Sequence, residues 1–172
     1  TLSGETNLAG GKTHFAAEFL AGAALAGGVW FAAQNEVLPS FFTPLRLGTF
    51  GAGYLVSMLF LSPDLDLERN ETANRWGPLR VIWGPYHTVF RHRGLSHHPL
   101  VGTATRILYL LLVALVFWLG VTYIASAVGV DRPPAFRPGD AWNFFANHFE
   151  LLVWFVAGCY VPNLIHVGID RL

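Results

Sequence analysis

The chain has 172 residues, 53% hydrophobic and 13% charged, with a mean hydropathy of +0.43. Charge is thus about half the ~25% of ordinary globular domains, which points to a membrane protein rather than a soluble one. The formal net charge of zero leaves no global basic field for nucleic acid, and the single cysteine, Cys159, excludes an internal disulfide and a cysteine-cluster zinc site.

The order of apolar segments predicts an all-α membrane protein, one domain over residues 1–172, with about four transmembrane helices. No basic stretch followed by a short apolar core and cleavage site stands at the start, so no secretory signal is expected. The first predicted span covers residues 15–33 and contains one charge, Glu18. Nineteen residues cover ~28 Å, close to a hydrocarbon core. The second covers 45–61, ends at Ser62-Pro63 and carries Gly48, Gly51 and Gly53, which suit close helix packing. The polar stretch 64–99 follows, with Arg69, Arg75, Arg80, Arg91 and Arg93. Its Trp76, Trp83 and Tyr86 fit a membrane-interface belt, and 76–91 is expected to include a helix lying along the surface. The third span covers 100–128, long enough to tilt, with Arg106 placed to snorkel. A Pro-rich loop, 129–148, leads to the fourth, 149–167, where Pro162 predicts a kink before His166.

If all four segments span, chain direction alternates and the ionisable groups sort by side. His14 enters the first helix; Asp64 and Asp66 leave the second; His92 and His97 precede the third; His166 and Asp170 end the fourth. All seven fall on one face, and His148 falls on the other. The ligand face also carries Lys12, the five loop arginines, Arg106 and Arg171, whereas the opposite face has Arg46, Arg132 and Arg137. The positive-inside rule makes the ligand face cytoplasmic, in a bacterial inner membrane.

Carboxylate and imidazole are the ligand set of zinc and related metals. Asp64 and Asp66 stand two apart, so both reach one site only from an extended turn at Pro63; taken alone they read equally as a cap and a solvated charge. His92 and His97 lie roughly 140° apart on a helix, so Gly94 is expected to bend the chain between them. His98 is an alternative to His97. His166 and Asp170, at i and i+4, share a face, suited to one ion or to a plain His–Asp hydrogen bond. Seven ligands exceed what one zinc needs, so two or more ions are expected, a cluster suited to phosphoester hydrolysis. No G-x-S-x-G, P-loop or H-E-x-x-H competes.

The words F-L-S-P-D-L-D-L (60–67), R-W-G-P-L-R-V-I-W-G-P-Y (75–86), H-R-G-L-S-H-H-P-L-V-G-T (92–103) and the terminal H-x-x-x-D resemble a bacterial family of membrane metal-binding proteins. Its relatives are the inner-membrane metal-dependent hydrolases induced in the SOS response. The resemblance implies metal binding at His14, Asp64, Asp66, His92, His97, His166 and Asp170. It also implies distant kinship with zinc-dependent phospholipase C folds, hence phosphoester hydrolysis. In the hydrolase reading Arg93 steadies the anion; the alternative for Arg91 and Arg93 is solvated surface charge. The alternative is a non-catalytic subunit of a membrane complex, its metal site structural or vestigial, meeting protein partners through Gly-rich helices. Metal transport ranks last, since only Glu18 and Glu150 lie within or beside the spans.

Overall fold

The computed structural model describes residues 11–67, 70–90, 95–129 and 138–171. Among them there is no strand. The helices are α1 (Gly11–Gln34), α2 (Pro44–Phe60), α3 (Glu71–Arg75), α4 (Gly84–Val89), α5 (Val101–Ala127) and α6 (Pro138–Ile169), with short 3-10 turns at Pro63–Asp66, Gly77–Trp83 and Leu95–His97. Local chemistry sets several boundaries. The Thr43 hydroxyl accepts from the Arg46 amide ahead of Pro44, starting α2. Asn70 accepts from the Ala73 amide at 2.6 Å and starts α3.

Among the described residues, three helices are long and apolar enough to cross a membrane: Thr13–Gln34, Val101–Ala127 and Gly139–Ile169. α2 is 17 residues long, and its ~26 Å falls just short of a ~30 Å hydrocarbon core. It is nevertheless bound tightly to α6, side by side and parallel. A Cβ on Gly53 would lie 2.0 Å from the Phe155 carbonyl oxygen, and one on Gly158 would lie 2.1 Å from that of Phe50. Only hydrogen fits at either position, so the two backbones touch. Ser57 donates to the Cys159 carbonyl at 2.7 Å and the Cys159 thiol to that of Gly53 at 3.3 Å, sewing the same seam with polar contacts. α6 runs on as one helix through the buried Pro162, where the sequence predicts a kink.

α1 meets this pair mainly by its N-terminal half. Tyr54 donates to the Glu18 carbonyl at 2.5 Å, and its ring lies against Gly22. Farther along, a Cβ on Gly27 or Gly28 would touch nothing within 4 Å. α5 docks by its first turns, where Gly102 sits against the Ser96 carbonyl, and beyond them its side chains are largely exposed. The N-terminal ends of α1 and α5 therefore meet the C-terminal ends of α2 and α6.

The connection between α2 and α5 caps this end. Leu61, Leu65, Ala73, Trp83 and Tyr86 form its core. Trp83 and Tyr86 are each 0% exposed, which corrects their reading as an interface belt. Their rings meet edge to face at 5.5 Å, and the Tyr86 hydroxyl lies 3.1 Å from Thr105 on α5. The surface-helix expectation for 76–91 becomes a 3-10 turn running into α4 that packs inward by these rings. Arg106 is corrected likewise: it is 0% exposed rather than snorkelling. Its guanidinium donates to the Ser96 carbonyl at 3.1 Å and to Asn163 Oδ1 at 2.6 Å, and Asn163 donates in turn to the Pro99 carbonyl. Those fixed acceptors offset its desolvation and tie α5, α6 and the 95–99 loop together.

Candidate metal centre

The N-terminal turn of α1 supplies His14 and, one turn on, Glu18; both are buried. The 3-10 turn after α2 supplies Asp64 and Asp66. Pro63 opens it, and the Ser62 hydroxyl accepts from the Asp64 amide. The turn before α5 supplies Ser96 and His97. The end of α6 supplies His166 and, just past its last turn, Asp170.

His166 is the hub. Its Nδ1 lies 2.9 Å from Glu18 Oε1, with both side chains almost fully buried. That carboxylate holds the proton on Nδ1 and leaves Nε2 as a lone-pair donor. Nε2 is buried, has no hydrogen-bond partner among the described residues, and faces Asp64 Oδ1 at 3.5 Å and Asp170 Oδ2 at 3.9 Å. His14 stacks on the His166 ring at 4.0 Å, and its Nε2 lies 3.2 Å from Asp170 Oδ1. His97 faces the same gap: its Nε2 lies 3.6 Å from Asp170 Oδ2 and 3.8 Å from Asp64 Oδ1. Two overlapping triads have donor atoms within 4.8 Å of one another, His14–His166–Asp170 and Asp64–His97–His166.

Asp66 occupies a different place from Asp64. Its Oδ2 lies on the far side of His97, 3.2 Å from Nδ1, and accepts from the Ser96 hydroxyl at 2.5 Å. Asp66 and Glu18 thus stand behind His97 and His166 in equivalent positions, each fixing a ring so that Nε2 points inward. Both triads include His166, whose inward nitrogen is Nε2, so the described residues could hold one ion at this shared corner.

Electrostatics match this geometry. Burial alone would push the Asp64 carboxyl up, but the imidazoles of His166 and His97 outweigh it and hold it well below the usual carboxylate range. Burial would lower His97, yet Asp64 and Asp66 raise it above the ordinary imidazole value. A cavity of about 170 Å³ opens beside the gap, lined by His14, Glu18, Asp64 and His166, with Phe15, Met58 and Arg75 among its other walls. The Arg75 guanidinium stacks on the Phe15 ring at 4.3 Å and donates to the Leu59 carbonyl at 3.2 Å.

Of the seven residues expected as ligands, the structure gathers His14, Asp64, Asp66, His97, His166 and Asp170; His92 lies outside the described residues, as does Arg93. His98 turns away and accepts from the Leu100 and Val101 amides at 3.3 and 3.2 Å, capping α5. His148 bonds the Phe144 carbonyl far along α6. Glu18 was read only as a lone charge in a span. Its i, i+4 spacing from His14, in a helix whose one other Lys, Arg, Asp or Glu is Lys12 in the first turn, is the signal that marks it.

Over residues 9–172 the sequence matches the family described as "Uncharacterized metal-binding protein (DUF2227)". The chain belongs to this family. An "Uncharacterized protein" of Aquifex aeolicus (strain VF5) is 34% identical over 128 residues, 70% of this chain and 86% of the relative. No solved structure matches. For a DUF2227 chain the donor set fits a divalent cation: imidazole nitrogens and carboxylate oxygens, with the orphaned Nε2 of His166 aimed among them.

Proposed function

We propose that the protein is a membrane-embedded, metal-dependent phosphohydrolase whose centre faces the cytoplasm. The observation that carries this reading is the buried, unpartnered His166 Nε2, converging with Asp64, His97, His14 and Asp170 on one gap beside an open cavity. His14, Asp64, His97, His166 and Asp170 would hold the ion, with zinc the first candidate for this N/O set. His92 remains a further candidate ligand. Asp66 and Glu18 orient the two histidines. A bound divalent cation would supply polarisation of water and neutralisation of phosphoryl charge.

The chain's own residues do the rest. Arg75, on the cavity wall, is placed to pair with an anionic substrate. Arg93 was the cation expected from the sequence for this role and stays a candidate beside it. In the hydrolysis, water forms the new P–O bond, the P–O bond to the alcohol breaks, and one water proton ends on the departing alcohol. Kinship with the SOS-induced membrane hydrolases, read from the sequence words alone, is itself part of this proposal. The bilayer is the proposed environment, with α1, α5 and α6 as spans and α2 completing a fourth crossing along α6. The positive-inside count supports a cytoplasmic centre, with Arg106 no longer contributing to it.

A structural role is favoured by one specific feature: α1 packs sparsely on the bundle, so an ion bridging His14 to α6 would pin it. The discriminating experiment is metal analysis of the purified protein followed by zinc-dependent turnover of p-nitrophenyl phosphate. Turnover abolished by His166→Ala and by Asp64→Ala supports hydrolysis. Stoichiometric metal with no turnover across a phosphoester panel selects the structural role, and absence of stoichiometric metal sinks both.

A further inference from the structure

A hollow of about 660 Å³ separates α1 from α2, lined by apolar side chains such as Phe19, Leu25, Trp30, Phe50 and Leu55. It begins where the metal-site cavity ends. On α1, Phe15 and Glu18 line the cavity while Phe19 and Gly22 line the hollow; on α2, Met58 lines the cavity while Tyr54 and Leu55 line the hollow. The two spaces therefore follow each other along the same pair of helices. Tyr54 lies against Gly22 on this lining, and farther along α1 a Cβ on Gly27 or Gly28 would meet nothing within 4 Å.

The geometry points to an amphiphilic phosphoester as the substrate class, its phosphate at the metal centre and Arg75, and a single acyl or alkyl chain in the α1–α2 groove. This rests on reading the centre as a phosphohydrolase. Three observations select one chain as occupant. The groove is almost wholly apolar and its volume falls within the roughly 300–1,000 Å³ of ligand-sized pockets. From Phe19 to Trp30 its α1 wall rises ~16 Å, about half a ~30 Å hydrocarbon core, the depth of one leaflet. Of the residues lining the two spaces, the charged ones line the metal-site cavity, where a headgroup would sit, with Arg75 providing the cation for an anion.

The test uses the full-length, zinc-loaded protein in phosphatidylcholine nanodiscs. The probe is a hexadecyl phosphonate with a mid-chain diazirine, whose C–P bond resists hydrolysis. A phosphatidylcholine carrying the same diazirine chain reports ordinary surrounding lipid. After photolysis, peptides over 19–30 and 47–55 should carry about tenfold more phosphonate than phosphatidylcholine label, an occupancy preference of ~1.4 kcal/mol. The excess should vanish with EDTA and in Gly51→Trp. A Cβ on Gly51 meets nothing within 4 Å, so the indole fills the groove without displacing α2; Ala26→Trp blocks it from α1. Equal labelling by both probes, labelling centred on α5, or an excess that survives both tryptophans would overturn the assignment. Turnover of p-nitrophenyl phosphate, which has no chain, reads the hydrolase proposal by itself. Turnover without excess labelling removes only the groove assignment, whereas excess labelling without turnover supports the groove and removes the hydrolase.

Discussion

Replacing Glu18 should weaken metal binding although Glu18 is not expected to touch the ion. Its carboxylate lies 2.9 Å from His166 Nδ1, with side-chain exposures of 3% for Glu18 and 1% for His166. A buried hydrogen bond to a charged group contributes about 1.5–3 kcal/mol, or roughly 10–150-fold in an equilibrium constant. Gln at position 18 still offers an oxygen to Nδ1 but no charge to raise the basicity of Nε2, so Glu18→Gln should loosen zinc about tenfold. Glu18→Leu removes the acceptor as well, frees the ring to rotate, and should cost about a hundredfold. The assay is competitive titration against a chromophoric zinc chelator at fixed pH, with thermal unfolding of the metal-free forms to separate folding from binding. Glu150→Gln is the control, since that acid pairs with Arg46 near the middle of α6, ~24 Å along the helix from His166. Wild-type affinity in both Glu18 variants, or an equal loss in Glu150→Gln, would refute the carboxylate–histidine reasoning.

Zinc affinity should rise with pH. Burial lowers His97 but Asp64 and Asp66 more than compensate, so the ring keeps its proton to higher pH than a free imidazole. Below that raised value the metal must displace the proton, giving about a tenfold gain per pH unit per proton released, and above it the gain levels off. Calorimetry in buffers of different ionisation enthalpy counts the protons, and no proton release near neutrality would contradict the assignment. Gly53→Val drives a side chain into the Phe155 carbonyl and should destabilise by ~3 kcal/mol or more, whereas Gly48→Val, which meets nothing within 4 Å, should stay within ~0.5 kcal/mol in thermal unfolding. Arg106→Met leaves Asn163 Oδ1 and the Ser96 carbonyl without their donor and should cost on the order of 3 kcal/mol; an unchanged melting temperature would show that the buried network is dispensable. Saturating zinc at a thousandfold its Kd should stabilise by about 4 kcal/mol, reversed by EDTA, with α1 the segment whose protease protection changes most.

The alternating direction of the four long helices was legible in the sequence because each is an apolar run bounded by polar or Pro-containing turns. That alternation was enough to bring His14, Asp64, His97, His166 and Asp170 to the same end, since a rigid rod about as long as the bilayer is thick returns its ends to fixed planes. Side-chain roles did not follow from it. Asp64 and Asp66 look alike in S-P-D-L-D-L, yet the 3-10 turn sends one toward the inward nitrogen of His97 and the other behind its ring. His97 and His98 are neighbours, and only the fold of the 95–99 turn makes one face the centre and the other cap α5.

The same division holds for the residues read differently from sequence. Trp83, Tyr86 and Arg106 have types that suit an interface, and composition cannot tell an interface from a small polar-capped core. What buried them was tertiary: the α2–α5 connection folds back over the helix ends and offers each a partner, Thr105 for the Tyr86 hydroxyl, and Ser96 and Asn163 for the guanidinium. The sequence by itself therefore determined an all-helical, apolar chain with its seven candidate ligands sorted to one end. Only the tertiary structure decided which of them face the gap, which stand behind as orienters, and that Glu18 is among them. The physical reason is range: hydropathy and helical periodicity act over a few turns, whereas ring orientation is set by contacts such as Glu18–His166, made across the fold between α1 and α6.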